Sequence, residues 1–129
     1  MSQTGKSLDC TAWSWPDSLD ALVAAPQHHR IVMENERVRV LETRIGPGET
    51  TAVHTHRWPA VNHIKRWSDF VRRDAGGNVL VDTRSRRAPT ALPLTIWSEP
   101  LPPHTLENVG SGELHVVSIE LKDTAGAKR

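Results

Sequence analysis

Arg37-Val38-Arg39-Val40-Leu41-Glu42-Thr43-Arg44-Ile45, closed by Gly46-Pro47-Gly48-Glu49, is the stretch from which the fold is read. Charged and apolar residues alternate along it, the period of a strand with one buried face. A phase slip at Val40-Leu41 predicts a bulge or a bend. The Gly-Pro-Gly-Glu tetrad is turn chemistry that neither a helix nor a strand continues through. Short apolar runs between similar breaks extend outward in both directions. Upstream, Ile31-Val32-Met33 joins the stretch through a Glu34-Asn35-Glu36 turn. Downstream come Thr50 to His56, Val61 to Ile64 and Asp69 to Arg73, then an Asp74-Ala75-Gly76-Gly77-Asn78 hairpin turn into Val79 to Thr83. Leu94 to Trp97, His104 to Val109 and, past Gly110-Ser111-Gly112, Leu114 to Leu121 complete the series. Eight or nine short strands without βαβ alternation predict an all-β sandwich or barrel. One short helix is expected ahead of them, Asp17 to Ala25, with Ser14 or Asp17 as cap, Pro16 in the first turn and Pro26 as the stop.

The chain has 129 residues, about one domain. It divides into an arm with the short helix over 1–29, a β domain over 30–121 and a tail over 122–129. At 37% hydrophobic and 24% charged it is neither disordered nor membrane-like in composition. Apolar runs such as Ala21 to Ala25 fall far short of the ~20 residues that span a bilayer. Met1 to Cys10 has no leader-like apolar core, and the lone Cys10 closes no internal disulfide, so a cytoplasmic setting is expected. Sixteen Lys and Arg against fifteen Asp and Glu leave a net charge of +1, which does not call for nucleic acid.

The chain carries seven histidines, and their arrangement decides what they mean. In His54-Thr55-His56 the two imidazoles leave one face of a strand, ~7 Å apart at Cα, close enough to share a cation. His28-His29 and His115 read as surface or strand-face residues. Fifty residues beyond the pair stands His104-Thr105-Leu106-Glu107-Asn108.

The glycine, five residues and His-x-His of Gly48 to His56, together with His104-x-x-x-Asn108, resemble the two signature motifs of the cupin family. The resemblance covers Arg30 to Leu121, and Glu34 to Val40, Pro47-Gly48-Glu49 and Pro103-His104 are similar to small single-domain bacterial cupins of mostly unassigned function. It implies an antiparallel β jelly-roll barrel, a homodimer that protects edge strands, and His54, His56 and His104 around one divalent transition metal (Fe, Zn, Ni, Cu or Mn). Two departures stand out. The family's metal-binding glutamate falls on Ala60 or Val61, with Trp67 in the place of a glycine in the Ala60 register. The usual Pro-x-Gly-x-x-His has become Glu99-Pro100-Leu101-Pro102-Pro103-His104.

Three neutral imidazoles leave a divalent ion its full charge and open positions. Cupin dioxygenases for thiols and β-diketones use such a set. The resemblance therefore implies a mononuclear metal-dependent enzyme of dioxygenase type acting on a small chelating metabolite. The alternative is a non-catalytic small-molecule-binding or sensing cupin. No residue reads as a general base, so catalytic residues beyond the ligands stay unassigned. Arg57, directly after His-x-His, is the candidate to orient a carboxylate, and Trp58 and Trp97 are candidate walls. If Ala60 faces the cavity, alternation brings Asn62 inward as a substrate contact; if Val61 does, His63 joins the metal side as a fourth ligand. From Arg57 to Arg87, eight Lys and Arg against three Asp read first as a solvated face, the alternatives being attraction of an anionic small molecule or contact with an acidic C-terminal strand of another subunit.

Overall fold

A computed structural model of the protein describes residues 13–122; Cys10, the start of the arm and most of the 122–129 tail lie outside the described residues. Nine strands run β1 (His29–Glu34), β2 (Val38–Ile45), β3 (His54–His56), β4 (Ala60–Arg66), β5 (Phe70–Asp74), β6 (Val79–Asp82), β7 (Leu94–Ser98), β8 (Leu101–Asn108) and β9 (Leu114–Leu121). They form a five-stranded sheet, β1-β2-β9-β4-β7, and a four-stranded sheet, β3-β8-β5-β6. All the strand pairings within both sheets are antiparallel. The result is a jelly roll of two facing sheets, left open rather than closed into a continuous hydrogen-bonded barrel.

The deciding stretch forms β2, and its slip has a different origin from a bend. β2 pairs with β9 without interruption from Val38↔Leu121 to Ile45↔Leu114. Arg39, Leu41 and Ile45 are its buried positions, at strict period two. The pattern looked broken because one inward residue is an arginine. The irregularity itself lies in β1, between Ile31 and Met33, opposite Leu41 and Val40. Gly46 to Glu49 closes as a turn with the Glu49 amide donating to the Gly46 carbonyl at 3.0 Å, and Gly48, at φ +80°, occupies the position that favours glycine.

The expected helix from Asp17 to Ala25 is divided. A 3₁₀ turn covers Asp17–Leu19, and α1 is only Ala21–Ala24. Asp20 separates them in a non-helical conformation (φ −54°, ψ 144°), because its carboxylate caps the Leu22 amide at 3.1 Å and also takes two hydrogen bonds from Arg39.

Asn108 explains the end of the second motif. It has no exposed surface, and its amide donates to the Ile45 and Gly112 carbonyls while its oxygen accepts from Ser68 Oγ and the Gly110 amide. Gly110 packs so closely there that a Cβ would stand 2.1 Å from Ser68 Oγ. The outward face of the larger sheet carries one apolar row across all five strands, Met33, Val40, Ile119, Val61 and Trp97 in direct register. Among the described residues no helix is long and apolar enough to cross a membrane.

Candidate metal centre

Between the sheets lies a cavity of about 130 Å³. Alternation builds its walls: Ala60, Asn62 and Ile64 from β4, and Leu114, Val116, Ser118 and Glu120 from β9, all face it. The Ala60 register is therefore the inward one. His63 leaves the other face of β4 and lies 3.2 Å from Thr95 Oγ1, away from the cavity.

Four imidazoles meet at one end. The rings of His54 and His56 are 5.1 Å apart, and His104 lies 4.4 Å from His54 and 5.8 Å from His56. β3 and β8 dictate this, since His54 pairs directly with His104 in the sheet. The fourth ring comes from the opposite sheet: His29, at the start of β1, is 4.6 Å from His54 and 5.4 Å from His56. Donor atoms of His29, His54 and His56 all lie within 4.8 Å of one another. Atoms sharing an ion at ~2.1 Å stand about 3–4 Å apart, so small ring movements close this triplet on a metal. The tight triplet thus contains His29, whereas the sequence grouped His104 with the motif pair and left His29 as a strand-face residue. His104 packs on the triplet's flank.

Each ring is held by its Nδ1. His29 donates to the Ala25 carbonyl at 3.0 Å, His54 to Ala52 at 2.8 Å and His104 to Pro102 at 2.8 Å. A carbonyl only accepts, so these three are Nδ1–H tautomers, and each Nε2 keeps a lone pair for a ligand. His56 donates instead to Glu120 Oε2 at 2.9 Å. Glu120 has no exposed surface and receives Arg39 Nε on its other oxygen at 2.7 Å; Arg39 in turn forks onto Asp20 at 2.8 and 3.0 Å. The carboxylate absent from the first motif is present one layer out, behind His56 and balanced by a buried arginine.

Electrostatics keeps His29, His54 and His104 neutral. Burial first, then the neighbouring imidazoles, push His54 down to about 2. Burial likewise lowers His104 to about 3, with His56 and Arg72 adding to the effect against the Pro102 hydrogen bond. His29 falls to about 4 through burial and His56. Unprotonated imidazoles with aimed lone pairs are what a divalent ion requires, so the residues present fit a metal.

Among solved structures, the chain is similar to a cupin domain from Bordetella pertussis Tohama I, at 23% identity and a TM-score of 0.55 over 73% of this chain and 91% of that one. It is similar also to an uncharacterized conserved protein with a double-stranded β-helix domain from Klebsiella pneumoniae, at 14% identity and a TM-score of 0.50 over 90% and 89% of the two chains. The chain has the cupin fold. No protein-family model and no curated protein matches the sequence.

Within this cupin fold, three expected substrate contacts lie elsewhere. Arg57 follows the His-x-His outward, 3.8 Å from Asp17 at the surface. Trp58 does not line the cavity; the cations of Arg39, Arg57 and Lys122 stand 5.0, 5.6 and 5.7 Å from its ring centroid. Trp97 pairs with outward-facing Val61 and is half exposed, and the cavity wall on β7 is its neighbour Ile96. Neighbouring strand residues face opposite ways, so nearness in sequence to the motif carried no information about facing. The cation and the aromatic ring that do line the cavity are Arg72 and Phe70, two apart on β5. Asn62 lines it as well, its oxygen accepting from Ser118 Oγ at 2.6 Å and its amide donating to Ser98 Oγ at 2.9 Å.

Proposed function

We propose that this cupin is a mononuclear metal-dependent enzyme of dioxygenase type, acting on a small chelating metabolite. His29, His54 and His56 hold the ion, with His104 as the further imidazole on its flank. The observation that carries the reading is the cluster of four imidazoles, buried at His29, His54 and His104 and half-buried at His56, each anchored through Nδ1. When bound, a divalent ion supplies undiminished +2 charge and open coordination positions for a chelating substrate and an oxidant. The chain's own residues do the rest. Glu120 fixes the orientation and tautomer of His56. Ile64, Leu106 and Val116 give the cavity an apolar lining, and Asn62 with Ser118 presents the polar patch on its wall.

Elemental analysis of untagged protein tests the metal. About one equivalent of a transition metal is expected, lost on replacing His54 and His56 by Ala. Oxygen consumption with small diketones, thiols and hydroxy acids, abolished by a chelator, tests the chemistry. Full metal occupancy with no turnover in that screen favours the non-catalytic binding or sensing reading.

The reading includes a cytoplasmic homodimer formed through the edge strands of the larger sheet, β1 and β7, where Met33 and Trp97 end its outward apolar row. Light scattering is expected to report a dimer, and a Trp97→Lys change a monomer.

A further inference from the structure

Arg72 is the one cation among the residues lining the cavity. On β5 it pairs with Leu106, two residues along from the Asp74↔His104 pair, so its side chain leaves the sheet on the same face as His104. Its charge is felt at His104. Yet among the described residues no carboxylate partners it: its Nε is buried without an acceptor, and the charge acting on it is a second cation, Arg86. Neighbouring arginines are treated differently. Arg73 holds Glu107 at 2.8 Å and Arg84 holds Asp82 at 2.9 Å. A guanidinium whose Nε is buried without a partner is costly unless an anion completes it.

The rest of the cavity limits that anion. A cavity of about 150 Å³ accommodates benzene, so the 130 Å³ present here suits a ligand of about six heavy atoms. Beside Arg72 stand Phe70 and Leu106, and Ile96 adds to the lining from the other sheet, which suits a short hydrocarbon body and not a multiply charged one. One guanidinium matches one carboxylate, bidentate and planar.

We propose that Arg72 is the carboxylate-binding residue of the cavity and that the ligand is a small monocarboxylic acid, its carboxylate on the guanidinium and its second polar group toward the histidines. This deepens the reading of the site as a metal centre, and rests on it for where that second group goes. The arginine expected from sequence to take this part, Arg57, points outward; Arg72 does so from a strand the motifs do not include.

The test titrates the full-length protein with n-butyrate, its neutral isostere butyramide and inorganic phosphate, after chelation and again after loading with Zn²⁺. Butyrate is expected to bind at least about tenfold more tightly than butyramide and phosphate, and to lose about tenfold or more with Arg72→Met. Arg72→Lys keeps the charge without the fork and is expected to fall between. Zn²⁺ affinity is expected to be retained or raised in Arg72→Met, because a positive charge near the histidines is removed. Equal binding of butyrate and butyramide, no butyrate binding at all, tighter binding of phosphate, or indifference to both Arg72 changes overturns the proposal. If Arg72→Met does not fold, the isostere comparison and Arg72→Lys decide. Arg72-dependent butyrate binding in a protein that takes up no Zn²⁺ leaves the carboxylate site standing and removes the metal reading instead.

Discussion

Oε2 of Glu120 stands 2.9 Å from Nδ1 of His56, so the most deeply buried carboxylate among the described residues, at the cavity wall, is engaged by an imidazole. Its other oxygen is held by Arg39 at 2.7 Å. Glu120→Ala leaves Arg39 half-paired in the interior and is expected to cost about 3–5 kcal/mol in urea unfolding. Glu120→Gln preserves shape, and its signature is metal affinity lowered by about 10–100-fold. Unchanged zinc affinity in the Gln variant would show that the His56 contact is structural alone.

Acid should destabilise the metal-free protein. His29, His54 and His104 titrate at about 4, 2 and 3 when folded, against 6.5 for an ordinary histidine. Below pH 6.5 the unfolded chain therefore holds more protons, and stability present at neutral pH is lost as pH falls toward the folded values. One such histidine accounts for about 2 kcal/mol by pH 5. Urea midpoints at pH 5, 6, 7 and 8 check this; a midpoint that rises on acidification is the contrary result.

His29 and His63 make a matched pair of tests. His29→Ala removes a ring 4.6 Å from His54, and metal affinity is expected to fall at least tenfold. His63→Ala touches only the outward face of β4, and isothermal titration is expected to give the parent affinity.

The same geometry separates two glutamates. Ala60 lines the cavity, so Ala60→Glu brings a carboxylate beside the histidines and is expected to tighten divalent metal binding. Val61 faces outward opposite Trp97, and Val61→Glu is expected to leave affinity unchanged. The reverse order would mean that β4 is one residue out of register.

Asn108→Ala leaves the buried Ile45 carbonyl and Ser68 hydroxyl without their partner and removes two part-buried bonds, from Gly110 and to Gly112, with an expected loss of about 3 kcal/mol. Gly110→Ala attacks the same turn by driving a Cβ into Ser68, and thermal unfolding should show a comparable loss.

Strand positions were legible because turns punctuate them. Thr50 to His56 shortened to a three-residue β3, while Val61 to Ile64 and Leu114 to Leu121 appeared nearly as read. Facing was harder. Arg39 looked like an exposed residue because the partner that permits its burial, Glu120, lies 81 residues away. Trp97 and Ile96 exchange roles with a shift of one position, which only the pairing of β7 with β4 settles. His29 was hidden for a related reason: the cluster forms across two sheets, and no local spacing encodes that. Its only sequence signal is position, at the entry to the first strand and two residues from Ile31.

That crossing has a topological consequence. Among the described residues β1 is an edge strand, bonded to β2 on one side alone, whereas His54 and His56 belong to the opposite sheet. An ion shared by His29 and His54 is a cross-link closing a loop of about 25 residues, and a cross-link restricts the unfolded chain more than the folded one. Loading the site would thus fasten the free margin of one sheet to the other, as a disulfide does in secreted domains. Amides of β1 are where hydrogen exchange should slow most.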